Sequence, residues 1–305
     1  MAKPPKEKLS MPSEDLPFFA YGAFMPGELA FAKIERYLDC DRSPEPADAT
    51  GSLWVRDGLP LFVSGGRDVV RGALLRFKRG DSRDQAYGEI RGFEPAEIYQ
   101  WCKIELKNPK EDAFVLEAKN IEKGNPEKLD ESRWSFRLDP VFDEGLETIQ
   151  KIVNELGGEP FSVIEWSRFF RLQMAYLLLW SAIERFSSFA YSPRLDPMER
   201  IMRMSKDSRF VVALQGNITE SGRAVSDSRD PGVVYRLEPS VPLASVNYYY
   251  QVRSNLCHRG KGAWSDGETV RKSLIELLAI FKDMLKATER GQIGEGSFNG
   301  KSNEY

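Results

Sequence analysis

Asn247-Tyr248-Tyr249-Tyr250-Gln251-Val252-Arg253-Ser254-Asn255-Leu256-Cys257-His258-Arg259-Gly260-Lys261 contains the only histidine of a 305-residue chain. One histidine excludes a multi-histidine metal cluster within a subunit, and a Ser-His-Asp triad would have to run through His258. Imidazole titrates near neutral pH and serves as base or acid. Arg253, five residues earlier, stays charged and can hold phosphate oxygens with two donors. RNA can be cut without metal when a base takes the ribose 2′-OH proton and a cation stabilises the charge growing on phosphorus. His258 and Arg253 fit those two roles. Five residues on a regular helix rotate through roughly 140°. The two side chains therefore converge only if the helix ends or bends near His258, as Gly260 and Gly262 suggest, or through the reach of arginine.

Working outward, 163–188 reads as a long helix with Leu172, Ala175, Tyr176, Leu179, Ile183 and Phe186 on one stripe. Trp166, Phe169 and Phe170 flank it, so the helix is apolar over most of its surface. Pro193 and Pro197 end or interrupt it. Residues 214–245 are rich in glycine and proline and read as loops. Helix returns over 244–258 and again from Gly267 to Glu289. Upstream, Phe142 to Leu156 repeats apolar residues at helical spacing and reads as a connecting helix, while 291–305 is a polar tail.

The segment 163–288 resembles the HEPN superfamily, closest to its Apea-like branch. The resemblance rests on the aromatic helix with Leu179-Trp180-Ser181-Ala182-Ile183-Glu184-Arg185-Phe186, the tyrosine-rich entry to Arg253, the R-x4-H element, its Gly/Lys exit and the closing amphipathic helix. It implies an all-α bundle, metal-independent endoribonuclease activity, and a homodimer in which two R-x4-H elements line one cleft and supply both base and acid. Arg253 and His258 would be catalytic, with Ser254 and Asn255 beside them; Ser254 stands where the family often has Asn, Asp or His. Arg259 and Lys261, with Arg271 and Lys272, would track an RNA backbone. Tyr250 is the tyrosine assigned to base stacking; of Tyr248, Tyr249 and Tyr250, at least one must face the core.

In the N-terminal half, short apolar runs at Phe18–Tyr21, Gly51–Val55, Val70–Phe77 and Cys102–Leu106 read as strands. Helical stretches fall near 28–38 and 82–90, and the polar stretch 107–135 reads as loop or linker. Phe18-Phe19-Ala20-Tyr21-Gly22-Ala23-Phe24-Met25-Pro26-Gly27-Glu28 resembles the opening strand and loop of the γ-glutamylcyclotransferase-like fold. Gly51–Trp54, Gly58-Leu59-Pro60, Val70–Leu74 and Phe93-Glu94-Pro95 to Tyr99 follow in that family's order, so the resemblance covers about 17–118. In that family an amine attacks a γ-glutamyl amide within the same molecule, 5-oxoproline forms, and a buried carboxylate shuttles the proton. Glu94 matches that carboxylate. Tyr21, Gly22, Ala23 and Phe24 match the ligand-holding loop, and Tyr99 matches the tyrosine beside it. Loop amides that open onto a helix suit an anion. Departures are Ala23 for a polar residue, Pro95 for a common glycine and Arg91 for an acid; Glu89 competes with Glu94 for the proton-shuttling role.

Together these readings predict an α+β chain: an N-terminal small mixed β-barrel followed by an all-α helical bundle. The expected boundaries are a disordered N-terminus over 1–16, the barrel over 17–118, a linker and connecting helix over 119–160, the helical domain over 161–290 and a disordered tail over 291–305. The net charge is −3, which argues against a generally basic nucleic-acid binder, although the C-terminal half is the more basic. Cys40, Cys102 and Cys257 are too few and too scattered for a disulfide framework or a zinc site. The N-terminus lacks the apolar core of a signal peptide, and the apolar run Met174–Trp180 is short of the roughly 20 residues of a membrane span. The expectation is a cytoplasmic protein with no membrane partner, cofactor or metal. The expected partners are RNA, a second copy of the chain, a small γ-glutamyl-like ligand, and an antitoxin or regulatory protein. The leading function is RNA cleavage governed by the barrel domain, as in toxin–antitoxin or antiphage defence. The alternatives are a cyclotransferase with an inactive helical dimerisation domain, and a non-enzymatic ligand sensor that binds a partner protein.

Overall fold

The computed structural model describes residues 9–12, 14–42, 44–156, 166–191, 195–259 and 267–290, apart from the side chains of His258 and Arg259. Eight strands lie in the N-terminal half: β1 (Phe18–Ala20), β2 (Glu45–Thr50), β3 (Ser52–Arg56), β4 (Leu59–Val63), β5 (Val69–Leu75), β6 (Tyr99–Asn108), β7 (Asp112–Ala118) and β8 (Glu127–Lys128). They pair in the order β1-β5-β2-β6-β7, and a parallel bridge from Phe18 to Phe114 closes that ring into a five-stranded barrel. Closure removes the unpaired edges that an open sheet would present. Strands β4, β3 and β8 extend from β7 as a wing. The β3–β4 hairpin turns on Asp57 and Gly58, both at positive φ, the conformation a two-residue Asp-Gly turn requires. Helix α1 (Asp81–Phe93) links β5 to β6.

The C-terminal half contains α2 (Glu144–Leu156), α3 (Trp166–Ala190), α4 (Pro197–Met204), α5 (Ser208–Asn217), α6 (Pro242–Arg259) and α7 (Gly267–Arg290), with a hairpin of β9 (Ala224–Ser226) and β10 (Val234–Arg236) before α6. The α3 stripe read from the sequence is buried throughout, from Leu172 to Phe186. Asp196 caps α4 by accepting from Glu199 N–H, with Pro197 in the first turn, as the helix-start rules require. The chain is therefore α+β, a small barrel followed by helices.

Several expectations need correction. The stretch 28–38 is not an α-helix; it forms turns and two short 3₁₀ segments, Phe31–Lys33 and Glu35–Tyr37. The stretch 107–135 is not all loop, because β7 lies inside it with four consecutive buried residues, Ala113–Leu116. The expected linker is packed: Trp134, Phe136 and Phe142 are buried, and the Trp134 indole donates to Gly58 O. Within 214–245, the end of α5 and the β9–β10 hairpin replace much of the expected loop. At the N-terminus, Leu9 is buried in the core and Arg83 donates to the Pro12 and Glu14 carbonyls, so 9–12 and 14–16 lie against the barrel. Residues 1–8 and 291–305 lie outside the described residues.

The two halves share a continuous apolar junction. Phe136 meets Phe142, which meets Phe281 of α7. Arg185 of α3 donates from Nε to the buried Asp139 carboxylate at 2.7 Å and from Nη2 to Asp57 O at 2.6 Å. Arg137 pairs with Glu289 at 2.6 Å. No helix among the described residues is long and apolar enough to cross a membrane.

Candidate functional sites in the barrel and on α6

The first site is a cavity at the end of the barrel where β1 and β7 finish. The turn after β1 supplies Tyr21, Gly22, Ala23 and Phe24, and Pro60, Glu94, Tyr99 and Leu116 face them. Gly22 is required by packing, because a Cβ there would stand 2.5 Å from Pro60 Cγ. The Tyr21 hydroxyl donates to Leu116 O at 2.6 Å and accepts from Phe62 N–H at 3.3 Å. The Tyr99 hydroxyl donates to Pro60 O at 2.8 Å. Both phenols are thereby committed to the backbone, and burial raises both pKa values further.

Glu94 follows α1 directly and caps it through its N–H to Ile90 O. Among the described residues, no hydrogen bond or cation reaches its carboxyl. The residue retains some exposure at the pocket wall, but its dense protein surroundings push its pKa up to about 8, since desolvation disfavours the charged form. Glu94 is thus the group in this cavity able to exchange a proton near neutral pH. Across from it, the N–H groups of Gly22, Ala23 and Phe24 find no acceptor among the described residues. The loop runs into turns rather than an α-helix, so its capacity for an anion comes from these amides and not from a helix dipole. The pocket is partly open and its void is about 20 Å³, room for one water, so a larger ligand must widen it. Glu89 lies on the exposed face of α1, near Arg36 at 3.7 Å, outside the cavity.

The second site lies on α6. Arg253 donates from Nη2 to Glu184 of α3 at 3.1 Å and lies over the Tyr250 ring, 5.5 Å from its centroid. Tyr250 in turn meets Trp180 edge-on at 5.6 Å. The Arg253 Nε is buried and makes no hydrogen bond. Ser254 is buried, on the core side of the helix. Asn255 is fully engaged elsewhere: its Oδ1 accepts from Ser228 N–H and Gln251 Nε2, and its Nδ2 donates to Ser226 O. It fastens the β9–β10 hairpin to α6. Tyr248 and Tyr249 face inward, with Tyr249 donating to Glu276 at 3.1 Å. Helix α6 runs without interruption from Arg253 to Arg259, so the two positions stand roughly 140° apart around it; Gly260 and Gly262, where the helix was expected to end or bend, lie outside the described residues. The side chains of His258 and Arg259, and all of Lys261, lie outside the described residues.

Sequence reasoning missed Glu184 and Trp180 as partners of the Arg253 site. The available signal was a lone acid in the apolar run from Leu177 to Phe186. No family model, curated protein or solved structure matches this chain.

Proposed function

We propose that this protein is a ligand-responsive, metal-independent endoribonuclease of the HEPN type, regulated by a cyclotransferase-like barrel. One observation carries the proposal: helix α3 touches both candidate sites. Near its C-terminal end, Phe189 meets Phe93, the residue before Glu94, and Phe93 meets Phe24 of the pocket loop. Within the same helix, Glu184 holds Arg253. A ligand that moves Phe24 or Glu94 therefore has a packed route to the guanidinium. Arg253 would stabilise the phosphorane, and His258 would act as base or acid. A second copy of the chain would complete the composite site, as the HEPN resemblance implies. The exposed apolar residues Trp166, Phe170 and Met174, one helical turn apart on α3, offer that copy a face.

The pocket ligand would be a small γ-glutamyl-like molecule, its carboxylate on the Gly22–Phe24 amides and its amine toward Glu94. A second reading is turnover at this pocket, favoured by the Glu94 pKa near 8. There the ligand's amine would attack its γ-carbonyl carbon and the amide C–N bond would break. Glu94 would take a proton from the attacking amine and return it to the leaving amine.

The test is RNA cleavage by the full chain with and without a panel of γ-glutamyl amines, with 5-oxoproline measured in parallel. A change in cleavage that Glu94→Gln abolishes supports regulation, and 5-oxoproline formation supports turnover. No cleavage, no ligand effect and no thermal shift across the panel would remove support for the proposal.

A further inference from the structure

The barrel has a second cavity at its opposite end. Strands β1 and β7 are parallel; the Glu94 pocket uses the residues that follow β1 and end β7, whereas this cavity uses those that precede both strands. Its volume is about 360 Å³, within the range of small-molecule sites. Four arginines, Arg42, Arg76, Arg79 and Arg83, and three acids, Asp15, Asp39 and Glu111, line it, with Phe77 in the same wall.

The arginines differ in how far they are satisfied. Arg76 is engaged by Glu45 at 2.7 Å and by Glu111. The largely buried Arg83 spends Nη2 on the Pro12 and Glu14 carbonyls and Nη1 on Asp84 at 3.3 Å, while its buried Nε makes no hydrogen bond. The Asp15 carboxylate is 3.4 Å from that Nε and 3.7 Å from Nε of Arg79; both are ion-pair distances, too long for good charge-assisted hydrogen bonds. Arg79 is 92% exposed, and Arg42 has no acid partner among the described residues. The N-terminus of α1 follows Arg79 directly in the chain. Its N-cap, Gly80, sits at φ 72° and offers no side-chain cap, leaving first-turn amides for an outside acceptor. Asp81 and Asp84 of that turn offset part of the helix dipole, so the guanidinium groups supply most of the attraction.

A loosely held carboxylate between two arginines, beside an uncapped helix end and a roomy cavity, is an arrangement for an anion with more oxygens than Asp15 offers. We propose that this cavity binds a small molecule through a phosphate or pyrophosphate group, and that Asp15 is a placeholder which that group displaces from Arg79 and Arg83. Arginine is suited to this task because its planar fork matches phosphate oxygens. Phe77 gives the wall an aromatic surface against which a base can rest. The site is independent of the Glu94 pocket and of the RNA-cleavage proposal.

The test is calorimetric titration of the full chain with pyrophosphate, with ATP, and with potassium chloride at matched ionic strength. Pyrophosphate is expected to bind saturably where chloride does not. Arg79→Gln, at an exposed residue whose loss leaves the fold intact, is expected to weaken binding about tenfold, the scale of one charged hydrogen bond. Asp15→Asn is expected to tighten it several-fold. Tighter binding of ATP than of pyrophosphate would identify a nucleotide; equal binding would identify the phosphate group alone as the ligand. No saturable binding of pyrophosphate, or the same affinity in Arg79→Gln, would overturn the site. Unchanged or weaker affinity in Asp15→Asn would overturn the placeholder role.

Discussion

The rings of Phe93 and Phe189 meet with centroids 5.7 Å apart, one at the end of a barrel helix beside Glu94 and the other near the end of α3. This contact joins the Glu94 cavity to the helix that holds Arg253. Phe189 is 6% exposed, so Phe189→Ala leaves a cavity at the junction. The expected loss is about 3 kcal/mol, read by urea denaturation. Phe189→Leu is expected to retain most of the stability while weakening the response of RNA cleavage to pocket ligands.

A second tie between the halves is the Arg185–Asp139 pair, with the Asp139 side chain 3% exposed. Asp139→Ala removes the anionic partner of Arg185, leaving that guanidinium with Asp57 O as its acceptor, and removes the acceptor for Val141 N–H. The expected destabilisation is about 3 kcal/mol, measured by denaturant midpoint. A loss within the range of ordinary surface substitutions would show that this pair does not hold the junction.

Glu28 sets a pH dependence. Its carboxyl is buried, accepts from Phe136 N–H at 3.0 Å on one oxygen and has no partner on the other. Burial pushes its pKa from 4.5 to about 8. The folded state therefore holds a proton that the unfolded chain gives up above pH 4.5. The stability linked to Glu28 is fully present below that value, falls as pH rises, and is lost above about 8. Glu28→Gln, which mimics the protonated form, is expected to flatten part of the decline in melting temperature between pH 5 and 8. Glu94, with the same direction of shift, accounts for a further part. An unchanged slope in Glu28→Gln would contradict a buried neutral Glu28.

The sequence made the long helices legible because their apolar spacing is undisturbed: α2, α3 and α7 stand where periodicity put them. Strand β7 was hidden because Ala113–Leu116 is buried on both faces and shows no alternation, while its flanks are polar. Strand β2, Glu45-Pro46-Ala47-Asp48-Ala49-Thr50, carries a proline and two acids, and its strand state comes from pairing with β5 and β6. Glu28–Leu38 has helix-forming residues, but it is tied down by Glu28 and Lys33, whose side chains bond to Phe136 N–H and Tyr191 O. Of the candidate sites, Tyr21–Phe24, Glu94 and Tyr99 come together around one cavity. The polar roles read into Ser254 and Asn255 meet a different arrangement, because helix phase turns Ser254 inward and the β9–β10 hairpin, invisible to local pattern, occupies Asn255.

The separation of Arg253 and His258 around α6 leads to a complementation test. Arg253→Ala and His258→Ala are each expected to abolish RNA cleavage alone. When mixed and allowed to exchange subunits, they should regain part of the activity, since the cleft of the mixed dimer then holds one intact Arg253 and one intact His258. No recovery despite demonstrated subunit exchange would place each site within a single chain.

The most direct measurement is the rate of RNA cleavage by the purified full chain in excess EDTA, compared with His258→Ala of equal melting temperature. Cleavage by the wild type, reduced at least a hundredfold in the variant as loss of a general acid–base group requires, is the expected result. Equal cleavage by the two proteins, or none by the wild type with or without pocket ligands, would contradict the nuclease proposal.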